Sequence, residues 1–503
     1  MGTKAHNYFV YEDDLPLLFD EFNKIKSGEI TEHSLHYRWL DRQHNPVWVN
    51  CRGDVILDEF NKPLYLIGCV NEIGKRQKAD NISGLLREPS LEEYVSSKSK
   101  NNITGYFMQI GIDDFDEING RFGLKCGDEI LKQFSMCMQS CINENQKIYE
   151  LGNGRFIIMD LANHSKEDIL ELYDELKKSV EVALEENVYR VVYTISVGIV
   201  EIDKEMKDYD TLIKYSDFAL NEAKKKGKNS CYFFTQDKYK QFIRRREIRV
   251  ELQNAVDHNF KNFDVYYQPI IDIHTRNLIG AEALMRFKMK RNEQIEFISP
   301  AEFIPILEES GLIIPAGRWI LRQAVACCKK WQEFIPEFKV NVNLSYVQII
   351  KSKILDEIKQ ALKDFNLKPA LLGIEVTESG YLENTYHYKK LWSSLKEEGI
   401  TLILDDYGTG YSNAYRLSDL TPHYIKIDRV LTQKALSSNY ERSILIYIIE
   451  MAHSLKLNVC IEGVETEEEL QEIKKLNPDY IQGYLFGKPA PEDEFYNRQI
   501  KKK

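Results

Sequence analysis

The sequence holds no Cys-x-x-Cys pair, and its nine cysteines are scattered, with only Cys327 and Cys328 adjacent. That usage argues against a disulfide-built scaffold and for reduced thiols in a cytoplasmic protein. Long apolar runs are missing as well. The most apolar window, residues 444–449, stops at Glu450 and falls far short of a membrane span. The N-terminus lacks the charged-then-apolar pattern of a secretory signal. Positive charge is in deficit, with 67 Lys and Arg against 78 Asp and Glu and a formal net charge of −11. Such a balance disfavours indiscriminate binding to DNA or to an anionic membrane. A phosphate ligand would then need metal ions or a local cluster of Arg and Lys to hold it. Low-complexity tracts and short-period repeats are also absent.

What is present is apolar material for several cores. The 503 residues are 43% hydrophobic and 11% aromatic, which excludes wholesale disorder and predicts two or three domains. Residues 13–27 carry apolar positions at helical spacing. Runs rich in β-branched and aromatic residues come next at 35–40, 47–57 and 64–73, separated by polar turns containing Asn and Pro. Val47, Val49 and Cys51 alternate with Trp48 and Asn50, as a half-buried strand requires. Trp39 and Trp48 are read as packing residues. From about residue 80 to 236, apolar strands (106–112, 155–159, 191–202) alternate with amphipathic helices (127–141, 209–226), an α/β pattern. A basic helical linker begins near Lys238. From about 247 onward, short strands at 263–271, 339–344, 372–376, 401–404, 424–427 and 458–461 are each succeeded by longer helical segments. Strand–helix units over this length predict a barrel of parallel strands.

In such a barrel the site lies at the C-terminal strand ends, so the residues ending each strand are the informative ones. They are Glu282, Asn343, Glu375, Asp405-Asp406, Lys426 and Glu462. Like charges converging on one cavity would repel, and divalent cations with oxygen ligands relieve that conflict. Each element alone is weak. Glu-Ala-Leu is a common helix-forming tripeptide, an Asp-Asp pair is usually a solvated turn, and Asn343 could simply cap a helix. The order and placement of the whole set carry the argument.

The motifs Tyr267-Gln268-Pro269, Glu282-Ala283-Leu284-Met285-Arg286, Val342-Asn343-Leu344-Ser345 and Glu375-Val376-Thr377-Glu378 resemble the EAL family of cyclic-di-GMP phosphodiesterases. So do Asp405-Asp406-Tyr407-Gly408-Thr409-Gly410, Lys426-Ile427-Asp428, Glu462-Gly463-Val464-Glu465 and Gln482-Gly483-Tyr484. The resemblance implies a metal-dependent hydrolase yielding linear pGpG. Glu282, Asn343, Glu375, Asp405, Asp406 and Glu462 would hold two divalent cations, Mg2+ or Mn2+. Lys426 would orient the attacking water or neutralise its charge. Gln268, Arg286 and Gln482 would face the substrate, and Glu465 would support the loop 407–412 from behind. A homodimer is also implied. A silent cyclic-di-GMP receptor and a signalling scaffold are the competing readings; the complete ligand set argues against the first and the acidic barrel mouth against the second.

The helix and meander at the start resemble part of a PAS sensory domain, with the portion that closes its ligand pocket expected to be missing. Residues from about 80 to 236 resemble a GGDEF domain through Asp80-Asn81-Ile82-Ser83-Gly84-Leu85, Asp113-Asp114-Phe115, Gly127-Asp128-Glu129 and Ser196-Val197-Gly198. Its signature loop, however, reads Gly152-Asn153-Gly154-Arg155-Phe156, with Gly154 and Arg155 in place of two acids, and Gly111 stands where that family has a metal-binding Asp. An arginine is hostile to a cation at the same spot, so cyclase activity is not expected. Asn119, Asp128, Lys224 and Lys228 match positions that hold GTP in that family, which leaves a regulatory GTP site open. The expected organisation is multidomain α/β: a partial PAS-like α+β segment (1–75), a degenerate nucleotidyl-cyclase-like domain (76–237), a helical linker (238–246) and a TIM-like (β/α)8 barrel (247–503).

Overall fold

The structure is a computed structural model that describes residues 8–40, 46–58, 62–72, 80, 82–98, 104–162, 164–185, 191–202, 208–291, 293–377, 385–408 and 421–501. The chain divides into two compact units, Met1–Lys240 and Gln241–Lys503.

The first unit opens with helix α1 (Leu15–Ser27), whose apolar stripe ends at Gly28 in the left-handed conformation that glycine tolerates (φ 77°). Strands β1 (Glu32–Leu40), β2 (Pro46–Leu57) and β3 (Pro63–Glu72) then form an antiparallel meander. Val49 faces a small core with Val10, Leu18 and Tyr37, and Trp39 packs edge-on against Phe9, as a packing residue should. Trp48's side chain lies outside the described residues. A second sheet, ordered β4-β6-β7-β5-β8-β9, is built from β4 (Leu86–Arg87), β5 (Gly105–Ile112), β6 (Lys147–Gly152), β7 (Arg155–Asp160), β8 (Ile195–Ile202) and β9 (Cys231–Phe233). Helices α2 (Glu88–Lys98), α3 (Phe115–Phe122), α4 (Leu124–Cys141), α5 (Lys166–Glu185) and α6 (Tyr209–Lys225) accompany it. Central β5 is buried on both faces, which explains its continuous apolar run. Its alternate residues split between two cores, Met108 and Ile110 in one and Phe107 in the other. The strand expected from residue 191 begins at Ile195.

The helix expected as a short linker at 238–246 is one 22-residue helix, α7 (Gln236–Asp257), which runs unbroken past residue 246 into the barrel segment. In the second unit, β10 (Phe263–Asp272), β11 (Leu278–Arg291), β13 (Lys339–Asn343), β14 (Leu372–Thr377), β15 (Thr401–Tyr407), β16 (Tyr424–Ile427), β17 (Asn458–Glu462) and β18 (Tyr480–Gln482) close into an eight-stranded barrel. Two short strands flank it, β12 (Gln294–Ile298) on β11 and β19 (Ala490–Pro491) on β10. The barrel departs from the all-parallel arrangement that strand–helix units predict. Strand β10 runs antiparallel to both neighbours, β11 and β18. The reason is local: residues 273–277 are too few for the crossover of a dozen or more residues that parallel neighbours need. Nor does a strand end at Glu282, because β11 continues to Arg291. Outer helices α8 (Pro300–Ser310), α9 (Ile313–Trp331) and α11 (Ile354–Phe365), with the short α10 (Tyr346–Lys351) between them, bury their apolar faces on the barrel. The ring continues through α12 (Thr385–Glu397), α13 (Arg429–Ser437), α14 (Asn439–Ser454), α15 (Glu467–Lys474) and α16 (Glu492–Phe495). Among the described residues, no helix is long and apolar enough to cross a membrane.

Candidate active site at the barrel mouth

Strand alternation sends every second side chain into the barrel, so inward residues form stacked layers. The lower layer is a small cluster of Ile270, Ile403, Tyr424 and Cys460. Two residues further along the parallel strands come Asp405 after Ile403, Lys426 after Tyr424 and Glu462 after Cys460. Those second residues are polar, and they meet.

Lys426 is 1% exposed and lies at their centre. Its ammonium contacts Glu462 at 2.7 Å, Glu282 and Glu375 at 2.9 Å, and Asp405 at 3.5 Å. Glu282 also accepts from Asn343 Nδ2 (2.7 Å) and Gln482 Nε2 (2.8 Å). Gln482 Nε2 donates to Gln268 Oε1 as well, at 3.0 Å, and the antiparallel register sets Gln268 directly opposite Glu282. Glu375 accepts from Asn341 Nδ2 at 2.8 Å. Asp406 adopts φ 55°, a left-handed conformation that Asp tolerates, and its backbone N–H donates to Asp405 Oδ1 at 2.9 Å. The kink interrupts the register of β15 with β16 between Leu404 and Tyr407.

Four carboxylates, three of them buried and Glu462 partly exposed, share one ammonium, and their proton affinities show the strain. Burial, reinforced by the charge of Glu282, pushes Glu375 well above the usual carboxylate range. Burial likewise lifts Asp405 to about 6 and Glu462 to about 8, against the pull of Lys426. Burial and the nearby Asp428 raise Asp406. Glu282 is the exception: burial raises it, but Lys426 and the donors Gln482 and Asn343 outweigh that and hold it below its ordinary value. Oxygens of Glu282, Glu375 and Asp405 all lie within 4.8 Å of one another. An oxygen-only donor set with excess negative charge fits hard divalent cations.

Around this cluster lies a cavity of about 250 Å³, lined also by Arg429, Gly463, Glu465 and Tyr484. A larger one of about 790 Å³ adjoins Asn343, with Arg286 in its wall. Arg286 donates to the Met285 carbonyl at 2.9 Å and sits over the Tyr266 ring at 5.5 Å. Among the described residues no carboxylate pairs with it. Glu465 does not join the central cluster; its carboxylate pairs with Arg429 at 2.6 Å. Glu378, and most of the loop that Glu465 was expected to support, lie outside the described residues. Two participants carry no motif of their own, Asn341 and Tyr424. The alternation Val340-Asn341-Val342-Asn343 could have revealed the first, because it puts both asparagines on one face.

Of the four residues matched to a GTP site, Asn119 lies on α3, Asp128 on α4, Lys224 on α6 and Lys228 just after it. Among the described residues no side-chain hydrogen bond or ion pair joins any two of them, while the Lys228 N–H donates to the Lys224 carbonyl at 3.2 Å. Lys228 is bound to Asp114 (2.6 and 2.8 Å), Asp128 is exposed, and Asn119 Oδ1 is buried with no hydrogen-bond partner among the described residues. Lys224 Nζ lies 3.2 Å from where a Cβ on Gly111 would stand, and Arg155, cross-strand from Gly111, pairs with Asp217 at 3.4 Å.

Fold and site together define an α/β-barrel protein with a buried carboxylate cluster suited to divalent cations. Residues 249–489 match the EAL domain family, 78–230 the diguanylate cyclase GGDEF domain, and 1–70 the PAS fold, so the chain belongs to the proteins that combine these three domains. The signaling protein YkoW of Bacillus subtilis is 31% identical over 399 residues, 78% of this chain and 48% of that protein. The cyclic di-GMP phosphodiesterase PdeR of Escherichia coli is 27% identical over 465 residues, 91% and 68% of the two chains. This chain thus spans about half the length of the first relative and two thirds of the second. A solved complex of the PaMucR phosphodiesterase with c-di-GMP is 29% identical, covering 50% of this chain and 99% of that one at a TM-score of 0.47.

Proposed function

We propose that the barrel hydrolyses cyclic-di-GMP to linear pGpG with two divalent cations, Mg2+ or Mn2+. The observation that supports this most is the sharing of Lys426 by Glu282, Glu375, Asp405 and Glu462, four carboxylates around one ammonium. Those four, with Asn343 and Asp406, would hold the cations, which supply Lewis-acid stabilisation of the charge developing on phosphorus. The chain's own residues do the rest. Arg286, without a carboxylate partner among the described residues, is available to a phosphate oxygen. Gln482 Oε1 is buried with no donor among the described residues, which supports its use as an acceptor for the attacking water. Lys426 keeps its proton among the carboxylates and stabilises negative charge beside them. Water adds to phosphorus, the 3′ oxygen of one ribose leaves, and that oxygen takes up a proton. Gln268 and Glu465 border the same cavity as substrate-facing groups.

The test compares native chain with Glu282→Ala, following cyclic-di-GMP by chromatography with Mg2+ or Mn2+. Metal-dependent conversion that falls by roughly a thousandfold in the variant supports the enzyme, since lost Lewis-acid stabilisation is worth several kcal/mol. Tight binding without turnover would make the chain a receptor instead. The GGDEF domain is proposed to make no cyclic-di-GMP, because Gly154 and Arg155 offer no carboxylate. Within a cytoplasmic homodimer it serves as a dimerisation module or takes a regulatory role through GTP at Asn119, Asp128, Lys224 and Lys228. A GTP titration leaving turnover and thermal stability unchanged would remove that role.

A further inference from the structure

Beneath the mouth, one buried amide joins the two layers of the barrel interior. Asn341 is 1% exposed, on β13. Its Nδ2 donates to Glu375 Oε1 and to the Tyr424 hydroxyl, both at 2.8 Å. Both hydrogens of the amide are thereby used. Tyr424 is itself fixed, buried in the lower layer and edge-on to Tyr480 at 5.8 Å. Space for the amide comes from Gly373, where a Cβ would stand 2.2 Å from Asn341 Oδ1. Glu375 has its other oxygen, Oε2, on Lys426 at 2.9 Å. A carboxylate so tied at Oε1 cannot swing within the barrel.

We infer that Asn341, anchored by Tyr424, is a positioning residue that fixes the Glu375 carboxylate for cation binding. This rests on the reading of the mouth as a metal site. Partners behind a ligand set its orientation, and losing one typically weakens metal affinity about 10–100-fold. Leucine at 341 has the same length without the donors, so Glu375 Oε1 would lose its only neutral hydrogen-bond donor among the described residues.

The experiment titrates Mn2+ into the cation-free full chain by calorimetry, for the native protein, Asn341→Leu, Tyr424→Phe and Glu282→Ala, with thermal midpoints measured in parallel. Asn341→Leu is expected to weaken Mn2+ about 10–100-fold. Tyr424→Phe keeps the ring and removes only the anchor, so a smaller weakening, several-fold, is expected. A lowered midpoint with native Mn2+ affinity in both variants would show a purely structural amide and overturn the inference. If Asn341→Leu does not fold, Tyr424→Phe decides alone, and unchanged affinity there overturns it. Native chain that binds no Mn2+ would overturn the metal reading and this inference together, whereas native binding lost in Glu282→Ala but retained in both other variants overturns only the inference.

Discussion

The two sheets treat buried acids in opposite ways. Around the six-stranded sheet Asp80, Asp113 and Asp160 are each answered by nearby donors, while Glu150, which accepts from Ser83, is raised by burial. Asp80 accepts from the N–H groups of Ile82 (2.7 Å) and Ser83 (2.8 Å) and pairs with Arg87; despite burial, these hold it below its ordinary value. Asp113 accepts from Thr194 (2.7 Å) and Ser196 (2.8 Å), and Asp160 from the N–H of Ala162 and from His164. In the barrel, Glu282, Glu375, Asp405 and Glu462 crowd one lysine, and three of them are pushed upward. A buried acid satisfied by its own neighbours is part of the fold. A group of acids that the fold leaves in excess marks a place kept for a cation.

That contrast is broken most forcefully at Lys426. Lys426→Met should destabilise the cation-free protein by about 3–5 kcal/mol, as removal of one partner from a buried charged set does. Denaturant unfolding at pH 8 measures it, with Mn2+ recovering part of the loss. A negligible change would mean the carboxylates need no compensation.

The turn of the other sheet can be challenged by returning an acid to it. Gly154 sits at φ 67°, and a Cβ there would lie 2.8 Å from the Phe115 ring. Gly154→Asp is therefore expected to cost roughly 1–3 kcal/mol in unfolding free energy without creating a Mn2+ site. A stable variant that binds Mn2+ would show that the backbone had not adapted to glycine.

A graded effect is expected from pH. The folded-state values of Asp405 (about 6) and Glu462 (about 8) lie above the unfolded values near 4, so the folded chain binds more protons between them. Cation-free stability should therefore fall as pH rises from about 4 toward 8. Stabilisation by Mn2+ should grow over the same range, because the cation needs the ionised carboxylates. Thermal melts that are flat in pH would contradict the crowding. The smallest effect is expected outside the cluster: Arg429→Ala, breaking a half-exposed pair with Glu465, should change stability by less than about 1 kcal/mol. A larger loss would move Glu465 into the buried set.

Much of this was legible from residues in order. Short apolar runs followed by helical segments placed strands at 424–427 and 458–461 within a residue or so of β16 and β17, and polar residues closing each strand announced Glu375, Asp405, Lys426 and Glu462 as neighbours. Local chemistry suffices there, because the period of a strand sets which side chains share a face. Which inward residues touch was decided only on closure. The antiparallel entry of β10 brought Gln268 opposite Glu282, closure of the barrel set Asn341 between Glu375 and Tyr424, and Glu465 turned to Arg429. Register between strands far apart in sequence is a property of the whole barrel, set by tilt and packing together, and no single strand's sequence carries it.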